Sequence, residues 1–265
     1  MTESWRFKKL FSERKMEMPE KKELRVELIR HTLSPEEIIS LGAKLCYSKA
    51  TIEDLKERVE ARDQTVFIEK LLGMGHESVF EHACFTFGVE GVSRVLLAQL
   101  TRHRMASFSV QSQRYVGYEN GFGYILPPAI QALGPDAEAE FQRQMDQIQE
   151  WYVGWQKKLG SGEGSNEDAR FVLPNACETR LLVTMNVREL RHFFSLRMCN
   201  RAQWEIRAMA TQMHRICLKI APALFMDAGP ACLRGKCAEG EKCCGKMAEI
   251  RAEREQLLAA EGGKK

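Results

Sequence analysis

The chain has 265 residues, 44% of them hydrophobic and 28% charged, which is enough apolar material for a substantial core and excludes a protein that is disordered by composition. Lysine and arginine total 39 against 36 acidic residues, and the resulting charge of +3 is too small to indicate nucleic-acid or membrane binding by itself. No apolar run approaches the roughly 18 residues of a membrane span, no secretory signal is recognisable, and the nine cysteines are therefore expected to be reduced thiols in a cytoplasmic protein.

The first half of the chain alternates strand and helix signals. Residues 1–23 are rich in charge and predict an N-terminal extension. Residues 24–28 alternate apolar and polar side chains, as a half-buried strand does. Ser34, Pro35 and Glu37 then predict a helix start with an N-cap, a first-turn proline and a capping-box carboxylate. The pattern continues with predicted helices over 52–72 and 92–102 and a predicted strand over 83–89.

The second half of the chain is mainly helical in pattern. Residues 113–126 indicate a strand with a glycine-rich turn, and residues 141–159 predict an amphipathic helix. Two more helices are predicted over about 167–182 and 187–221, the second either continuous or broken near Asn200. The charged stretch close to the C-terminus is either helical or solvated.

Together these elements predict an α+β fold in which a central antiparallel sheet is surrounded by long helices. We expect one main domain over residues 24–230, between the N-terminal extension and a polar, cysteine-containing tail over residues 231–265. No internal repeat is recognisable.

The densest chemical cluster is the segment RHRMASFSVQSQRY, residues 102–115. It contains three guanidinium groups, an imidazole and three serine hydroxyls, and no carboxylate that could neutralise them. Arginine binds phosphate oxygens bidentately, and hydroxyl groups can complete the phosphate shell. The segment therefore favours an anion-binding site, with a solvated basic face paired to distant acids as the alternative.

Several common catalytic motifs are missing from the chain. Neither GxGxxG nor GxxxxGK[ST] occurs, so Rossmann and P-loop folds have no support, and there is no GxSxG nucleophile elbow. Ser112 is therefore better interpreted as a hydroxyl that binds phosphate or backbone than as a nucleophile, although the nucleophile stays an alternative hypothesis.

The basic segment is accompanied by other motifs in a recognisable order. The string RHR, followed by seven residues and Ser112, resembles the signature of the flavin-dependent thymidylate synthases. Further segments that resemble the same family are GHESVFEH (75–82), EDARFVLP (167–174), TMNVRELRHFFSLR (184–197) and AQWEIR (202–207). Because the matches extend over about residues 24–230, the resemblance covers most of the chain.

The resemblance implies a reductive methylation of dUMP to dTMP, in which 5,10-methylenetetrahydrofolate donates the one-carbon unit and FAD carries a hydride drawn from NADPH. It also implies a homotetramer with shared active sites. Transferred residue by residue, the candidates for dUMP are Gln99, Arg102, Ser112, Gln113, Arg114, Arg170 and Arg197. The candidates for FAD are His76, Ser78, Arg102, His103, Arg104, Val110, Asn186, Arg188 and His192.

Arg197 is the candidate catalytic residue that the resemblance implies. The matching arginine of the family approaches the uracil ring and stabilises negative charge there, which makes C5 nucleophilic. A guanidinium suits this role because it keeps its proton and stabilises charge best where water is excluded.

Three positions depart from the commonest family pattern. Many members have Asn-Glu where this chain has Ser109 and Val110, so an acid that contacts ligands in those members is missing and Val110 offers only backbone groups. Gln113 replaces a glycine that often precedes the motif arginine, and His192 stands where other members have asparagine.

The cysteines near the C-terminus raise the question of a metal site. Cys232, Cys237, Cys243 and Cys244 lack CxxC spacing, and two adjacent cysteines do not easily ligate one tetrahedral ion, so ordinary thiols are favoured over zinc or a redox pair. Two other functions stay open as alternatives: an RNA-binding module that uses the basic segment with Phe108 and Tyr115, and a helical interaction protein with a zinc tail.

Helix geometry bears on the predicted assembly. At about 100° per residue, Arg188 and His192 are about 40° apart, whereas Arg197 lies about 180° from Arg188. If the helix is continuous over 187–197, residues assigned to the flavin and to the nucleotide point in opposite directions. Such a helix is expected to lie between two sites that neighbouring chains complete.

Overall fold

The computed structural model describes residues 18–160 and 162–262, so most of the predicted N-terminal extension lies outside the described residues. Within these two ranges, no helix is long and apolar enough to cross a lipid bilayer. The chain divides into two units. The small unit contains the described residues up to Glu23, Gly91–Val95 and Gln111–Thr179, and the large unit contains Leu24–Glu90, Leu96–Val110 and the described residues from Arg180 onward.

Over residues 18–160 and 162–262, the secondary structure consists of short and medium strands, longer helices and four short 3-10 helices. The strands are β1 (Glu20–Lys21), β2 (Arg25–His31), β3 (Cys84–Ser93), β4 (Ala106–Val110), β5 (Gly123–Tyr124) and β6 (Glu178–Asn186). The helices are α1 (Pro35–Leu45), α2 (Ile52–Glu60), α3 (Thr65–Gly73), α4 (Arg94–Leu100), α5 (Pro128–Gln131), α6 (Pro135–Leu159), α7 (Glu163–Ala169), α8 (Val187–Arg197), α9 (Trp204–Ile220), α10 (Pro222–Phe225) and α11 (Met247–Gly262). The 3-10 helices cover Ser78–His82, Arg170–Val172, Ala231–Leu233 and Gly240–Lys242.

A four-stranded sheet with the order β2-β3-β6-β4 forms the centre of the fold, and most of it belongs to the large unit. Strands β2 and β3 are antiparallel, as are β4 and β6. In β3, Phe85, Phe87 and Val89 turn alternate side chains into the core, as their spacing predicts. The predicted α+β fold with a central antiparallel sheet and surrounding helices is therefore confirmed.

The small unit has its own apolar cluster around helix α6. Phe122, Tyr124, Leu126, Met145 and Cys177 are all buried in this cluster, and β1 pairs with β5 in parallel. Apolar residues of α6 recur at helical spacing, which explains why one face of this helix is buried and the other is exposed.

The predicted helix over 167–182 is wrong in its second half. Helix α7 ends at Ala169, and residues 178–186 form strand β6 instead. Thr179, Leu181 and Val183 are buried while the residues between them are exposed, which is the period-two pattern of a strand. Pairing with β4 on one side and the neighbouring β3 on the other overrides the local helix propensity of this segment.

Other predictions also need correction. Strand β4 was not predicted, because its residues lie inside the basic segment. Within 113–126 only Gly123–Tyr124 are extended as a strand, and β3 continues to Ser93 before α4 begins. Ser34 does precede α1, but its side chain makes no capping hydrogen bond because its backbone is left-handed, with φ at 43°.

The helical region 187–221 is broken near Asn200, as one alternative predicted. Helix α8 ends at Arg197 and α9 begins at Trp204. The Gln203 side chain caps α9 by accepting hydrogen bonds from the backbone N–H groups of Glu205 and Ile206 at 3.0 and 3.1 Å. The break separates α8 as a short helix whose two ends both carry candidate site residues.

His214 lies on α9 and is 1% exposed. Its Nε2 lies 3.1 Å from the Phe225 carbonyl oxygen and 3.3 Å from Arg254, and its ring packs edge-on against Phe194. Burial, with the nearby arginines, lowers the pKa of His214 to about 4. This histidine is therefore a neutral core residue at neutral pH.

We expect the free energy of unfolding to fall as the pH is lowered from about 6.5 to 4, because in this range the unfolded chain takes up a proton on His214 that the folded chain does not. The contribution of His214 is at most about 3 kcal/mol. Urea unfolding at a series of pH values measures how the free energy of unfolding depends on pH. The variant His214→Gln should show a shallower pH dependence, and an unchanged dependence would contradict the assignment.

Candidate active site

Helix α8 begins directly after β6 and carries three candidate site residues, Arg188, His192 and Arg197. Asn186 caps it, since its Oδ1 accepts a hydrogen bond from the Glu189 backbone N–H at 2.8 Å. Because the sheet fixes the end of β6 and the cap fixes the first turn, the side chains of α8 project from a rigid base.

A cavity of about 480 Å³ lies beside the first turns of α8. It has a mixed polar and apolar wall that contains cations, carboxylates, amide and imidazole groups. Its lining residues are Glu77, Phe80, Glu81, Met105, Asn186, Arg188, Glu189, Arg191, His192, Ser195 and Arg234. Arg188 and His192 thus share one face of the helix, as their spacing predicts.

The three arginines of this cavity differ in how firmly they are held. Arg188 is half exposed, and its guanidinium lies 2.6 Å from Glu81 and 3.4 Å from Glu77. Arg191 is buried and forms a bidentate pair with Asp227 at 2.6 and 2.8 Å. Although burial raises the pKa of Asp227, the contacts with Arg191 lower it below its ordinary value on balance.

Arg234 is the third cation, and it is held least firmly. Its Nη1 lies 3.8 Å from Asp227, and its side chain is 42% exposed. An exposed ion pair at this distance is worth little, so the Arg234 guanidinium can reorient toward an anion.

His103 lies in the interior of the large unit between two charged partners. Its Nδ1 is 2.7 Å from Glu189 Oε1, and the Arg197 Nε donates a hydrogen bond to its Nε2 at 2.9 Å. The Arg197 Nη2 also donates to the Gln99 carbonyl oxygen at 3.2 Å. Burial lowers the pKa of His103, and the positive charge of Arg197 lowers it further, against the opposing effect of Glu189.

The other residues of the RHR motif are more accessible. Arg102 and Arg104 are exposed, while Val110 is half-buried at the end of β4. Burial lowers the pKa of Arg197, and the like charge of Arg102 adds to this effect. Two accessible cations therefore flank one buried imidazole.

Four of the dUMP candidates belong to the small unit. Ser112 Oγ accepts hydrogen bonds from the backbone N–H groups of Arg114 and Tyr115 at 3.2 and 3.4 Å. Among the described residues, no histidine or carboxylate hydrogen-bonds to Ser112, so the chain offers it no general base there. Arg114 donates from Nε to Glu163 at 2.6 Å and is also close to Glu167.

Gln113 is buried in the small unit, whereas Arg170 is only partly buried there. Gln113 is 8% exposed and its amide donates to the Cys177 thiol at 3.5 Å. Burial raises the pKa of this thiol to about 12, so Cys177 is neutral. Arg170 donates from Nε to the Glu167 carbonyl oxygen at 3.0 Å.

The FAD candidates do not all share one cavity. Asn186, Arg188 and His192 line the cavity beside α8, while His76 lines a second cavity of about 670 Å³ next to Tyr47. Ser78 is exposed at the start of the 3-10 helix Ser78–His82. The large unit therefore offers two recesses for the predicted cofactor.

Motif matching did not identify Glu189, Asp227 or Arg234. Glu189 carries a weak signal, because Asn-x-x-Glu at a helix start is typical of a capping box, yet its carboxylate faces His103 instead. Asp227 and Arg234 lie in or near the loop after α10, and no sequence pattern links them to Arg191.

The nine cysteines are all free thiols. The Gly245 backbone N–H donates to the Cys243 Sγ at 3.4 Å, which lowers the pKa of that thiol. Over residues 18–160 and 162–262, no group of three histidine, cysteine or carboxylate side chains is arranged to hold a metal ion.

Comparison with known proteins relates this architecture to a family. The family model described as "Thymidylate synthase complementing protein" matches residues 27–223. The flavin-dependent thymidylate synthase of Geobacter sulfurreducens is 48% identical over 229 residues, which cover 86% of this chain and 97% of that protein. That of Clostridium tetani is 42% identical over 239 residues, covering 86% and 96%.

Solved structures show the same fold. The UMP/dUMP methylase PolB of Streptomyces cacaoi, bound with 5-Br dUMP, has a TM-score of 0.62 at 25% identity, covering 78% of this chain and 95% of PolB. Thymidylate synthase X of Helicobacter pylori, solved with FAD and dUMP, has a TM-score of 0.59 at 22% identity, covering 78% and 99%. The family suggested by the RHR motif is confirmed, and this chain belongs to the flavin-dependent thymidylate synthases.

Proposed function

We propose that the chain catalyses the reductive methylation of dUMP to dTMP through the residues of α8 and the RHR motif. Bound FAD would supply hydride chemistry, with NADPH as reductant and 5,10-methylenetetrahydrofolate as one-carbon donor. Membership of the flavin-dependent thymidylate synthases supports this reaction. The observation that carries the proposal is Arg197, a guanidinium that is partly buried and contacts no carboxylate among the described residues.

The cavity beside α8 suits an anionic cofactor such as FAD. Arg188 and Arg234 can face a pyrophosphate, and Asn186 and His192 can hydrogen-bond to polar ring edges. Phe80 and Met105 add apolar surface for a ring system. The Nδ2 group of Asn186 is available for this purpose because only its Oδ1 caps the helix.

Ser112 and Arg114 are assigned to the phosphate of dUMP. The Ser112 oxygen accepts two backbone hydrogen bonds, which orients the hydroxyl while its own hydrogen can still be donated. Glu163 binds the Arg114 guanidinium. A substrate phosphate therefore competes with the Glu163 carboxylate for the same N–H donors of Arg114.

Arg197 is assigned to the uracil ring, where it would stabilise negative charge and make C5 nucleophilic. Gln99, Arg102, Gln113 and Arg170 complete the proposed dUMP set, and Arg104 and Val110 complete the proposed FAD set. The proposal places the catalytic domain in residues 24–230 and the protein in the cytoplasm.

The proposed assembly is a homotetramer with shared sites. Helix α8 is continuous from Val187 to Arg197, as the rotational argument requires. Arg188 contacts Glu77 and Glu81, whereas Arg197 contacts His103 and the Gln99 backbone. The two arginines therefore have no contact residue in common. This separation supports sites that are completed by more than one chain.

We expect the purified protein to bind FAD and the variant Arg188→Ala to bind it at least about tenfold more weakly, because a cation facing the pyrophosphate is removed. Flavin fluorescence titration measures the affinity. The control Arg143→Ala changes an exposed arginine of α6, outside the cavity beside α8, and should leave the affinity unchanged. Equal affinities for all three proteins would exclude the proposed role of Arg188.

The phosphate assignment predicts opposite effects at two positions. Ser112→Ala should weaken dUMP binding by about two- to tenfold, and appreciable turnover should remain at saturating dUMP. Glu163→Gln should tighten dUMP binding, because it releases Arg114 from a competing carboxylate. Calorimetric titration measures the dUMP affinity of both variants, and single-turnover methylation measures the turnover of Ser112→Ala. Complete loss of methylation in Ser112→Ala with dUMP still bound would favour the nucleophile hypothesis instead.

Sharing of sites between chains predicts complementation. Under conditions of subunit exchange and limiting FAD, a mixture of Arg188→Ala and Arg197→Ala chains should show more methylation activity than either variant alone. A mixture of Arg197→Ala with Arg197→Gln is the matched control, since no site in it can contain Arg197. Mixed oligomers that stay inactive, or a fully active monomer by light scattering, would refute the proposal.

A further inference from the structure

The contacts of His103 suggest a role that the family resemblance does not assign to it. Both ring nitrogens are used within the chain, Nδ1 with Glu189 and Nε2 with Arg197. The side chain is 3% exposed, so it offers little surface to a ligand. The direct contact with FAD expected for this residue therefore has no ring nitrogen available.

The hydrogen bond from Arg197 determines which nitrogen of the His103 ring carries the proton. Arginine keeps its protons in proteins, and its Nε–H can only donate. His103 Nε2 must therefore be an unprotonated acceptor, which leaves the single ring proton on Nδ1. From there it is donated to Glu189 Oε1, a group that accepts when ionised.

The three side chains form a bridge along α8. Glu189 lies in the first turn and Arg197 in the last, about 12 Å apart along the helix axis. His103 comes from the segment after α4 and spans the gap between them. Its ring packs edge-on against Phe193 at a centroid distance of 5.0 Å, and His192 lies 5.9 Å away, which restricts its rotation.

On this basis we propose that Glu189 and His103 are positioning residues that hold the Arg197 guanidinium in place for the uracil ring. The inference rests on the proposed function, because it assigns a purpose to the orientation of Arg197. The hydrogen bond to His103 and the one to the Gln99 carbonyl fix two edges of the guanidinium. The remaining N–H groups are left to face a ligand.

The chemistry favours a neutral imidazole over a carboxylate as the direct partner of Arg197. A carboxylate in contact with the guanidinium would neutralise the positive charge that is needed to stabilise the uracil anion. A neutral ring nitrogen orients the guanidinium without cancelling its charge. Glu189 acts one step away, where its charge fixes the tautomer and is separated from Arg197 by the ring.

A pair of amide substitutions separates the two contacts of His103. The variant His103→Gln places an amide near the position of Nε2, where its oxygen can accept from Arg197. The variant His103→Asn places the amide near Nδ1, so it can bond to Glu189 but does not reach Arg197. We expect kcat for methylation to be at least about tenfold higher in His103→Gln than in His103→Asn. Reduction of bound FAD by NADPH should be similar in both variants.

The controls distinguish positioning from folding. His31→Gln and His31→Asn form a matched pair on β2, outside the bridge, and should not differ from each other in kcat. Equal kcat values for the two His103 variants, or equal losses of flavin reduction and methylation, would overturn the proposal.

A second readout does not depend on activity. In crystal structures of the variants, Arg197 should lie within hydrogen-bond distance of residue 103 in His103→Gln and should be displaced in His103→Asn. An unchanged Arg197 in both structures would overturn the positioning role. If the parent protein produced no dTMP while Arg197 moved as expected, the proposed function and the purpose of the positioning would fail, and only the structural role of His103 in holding Arg197 would stand.

Discussion

The buried contact of His103 with Glu189 and Arg197 is the constraint on which the rest of the candidate site depends. The Glu189 carboxylate is buried and the Arg197 guanidinium is partly buried, and such charges are costly to desolvate unless each has a partner of matching chemistry. The imidazole meets this need because one nitrogen donates and the other accepts. The cost of burying the charges is offset by these two short hydrogen bonds, and the guanidinium of Arg197 is fixed by its bonds to His103 and to the Gln99 carbonyl oxygen.

The fold keeps this contact in place. Strand β6 is paired in the sheet, and Asn186 at its end caps α8, so the position of Glu189 follows from the sheet. At the other side of the helix, Arg191 is held by Asp227 and by the Leu224 carbonyl oxygen. Helix α8 is thus fixed by buried polar contacts on more than one side, which suits a helix that must present Arg188, His192 and Arg197 in defined directions.

Much of this arrangement could be predicted from the sequence. The RHR motif and the segment over 184–197 contain arginine, histidine and asparagine residues whose types and spacing indicate an anion-binding site. The continuous helix over 187–197 and the shared face of Arg188 and His192 follow from helical periodicity alone. The strand over 178–186 could not be predicted in this way, since its stability comes from pairing with β4, which is distant in sequence. Glu189 and Asp227 escaped prediction for the same reason: their partners are set by tertiary packing, with no fixed spacing along the chain.

The most direct test of this account is the tautomer of His103 in the protein at neutral pH. NMR of protein labelled with nitrogen-15 at histidine, with the signal assigned by its loss in His103→Gln, reports which ring nitrogen carries the proton. We expect a neutral ring that is protonated at Nδ1 and unprotonated at Nε2. A ring protonated at Nε2, or an imidazolium at pH 7, would contradict the hydrogen bond from Arg197 and with it the positioning of the guanidinium.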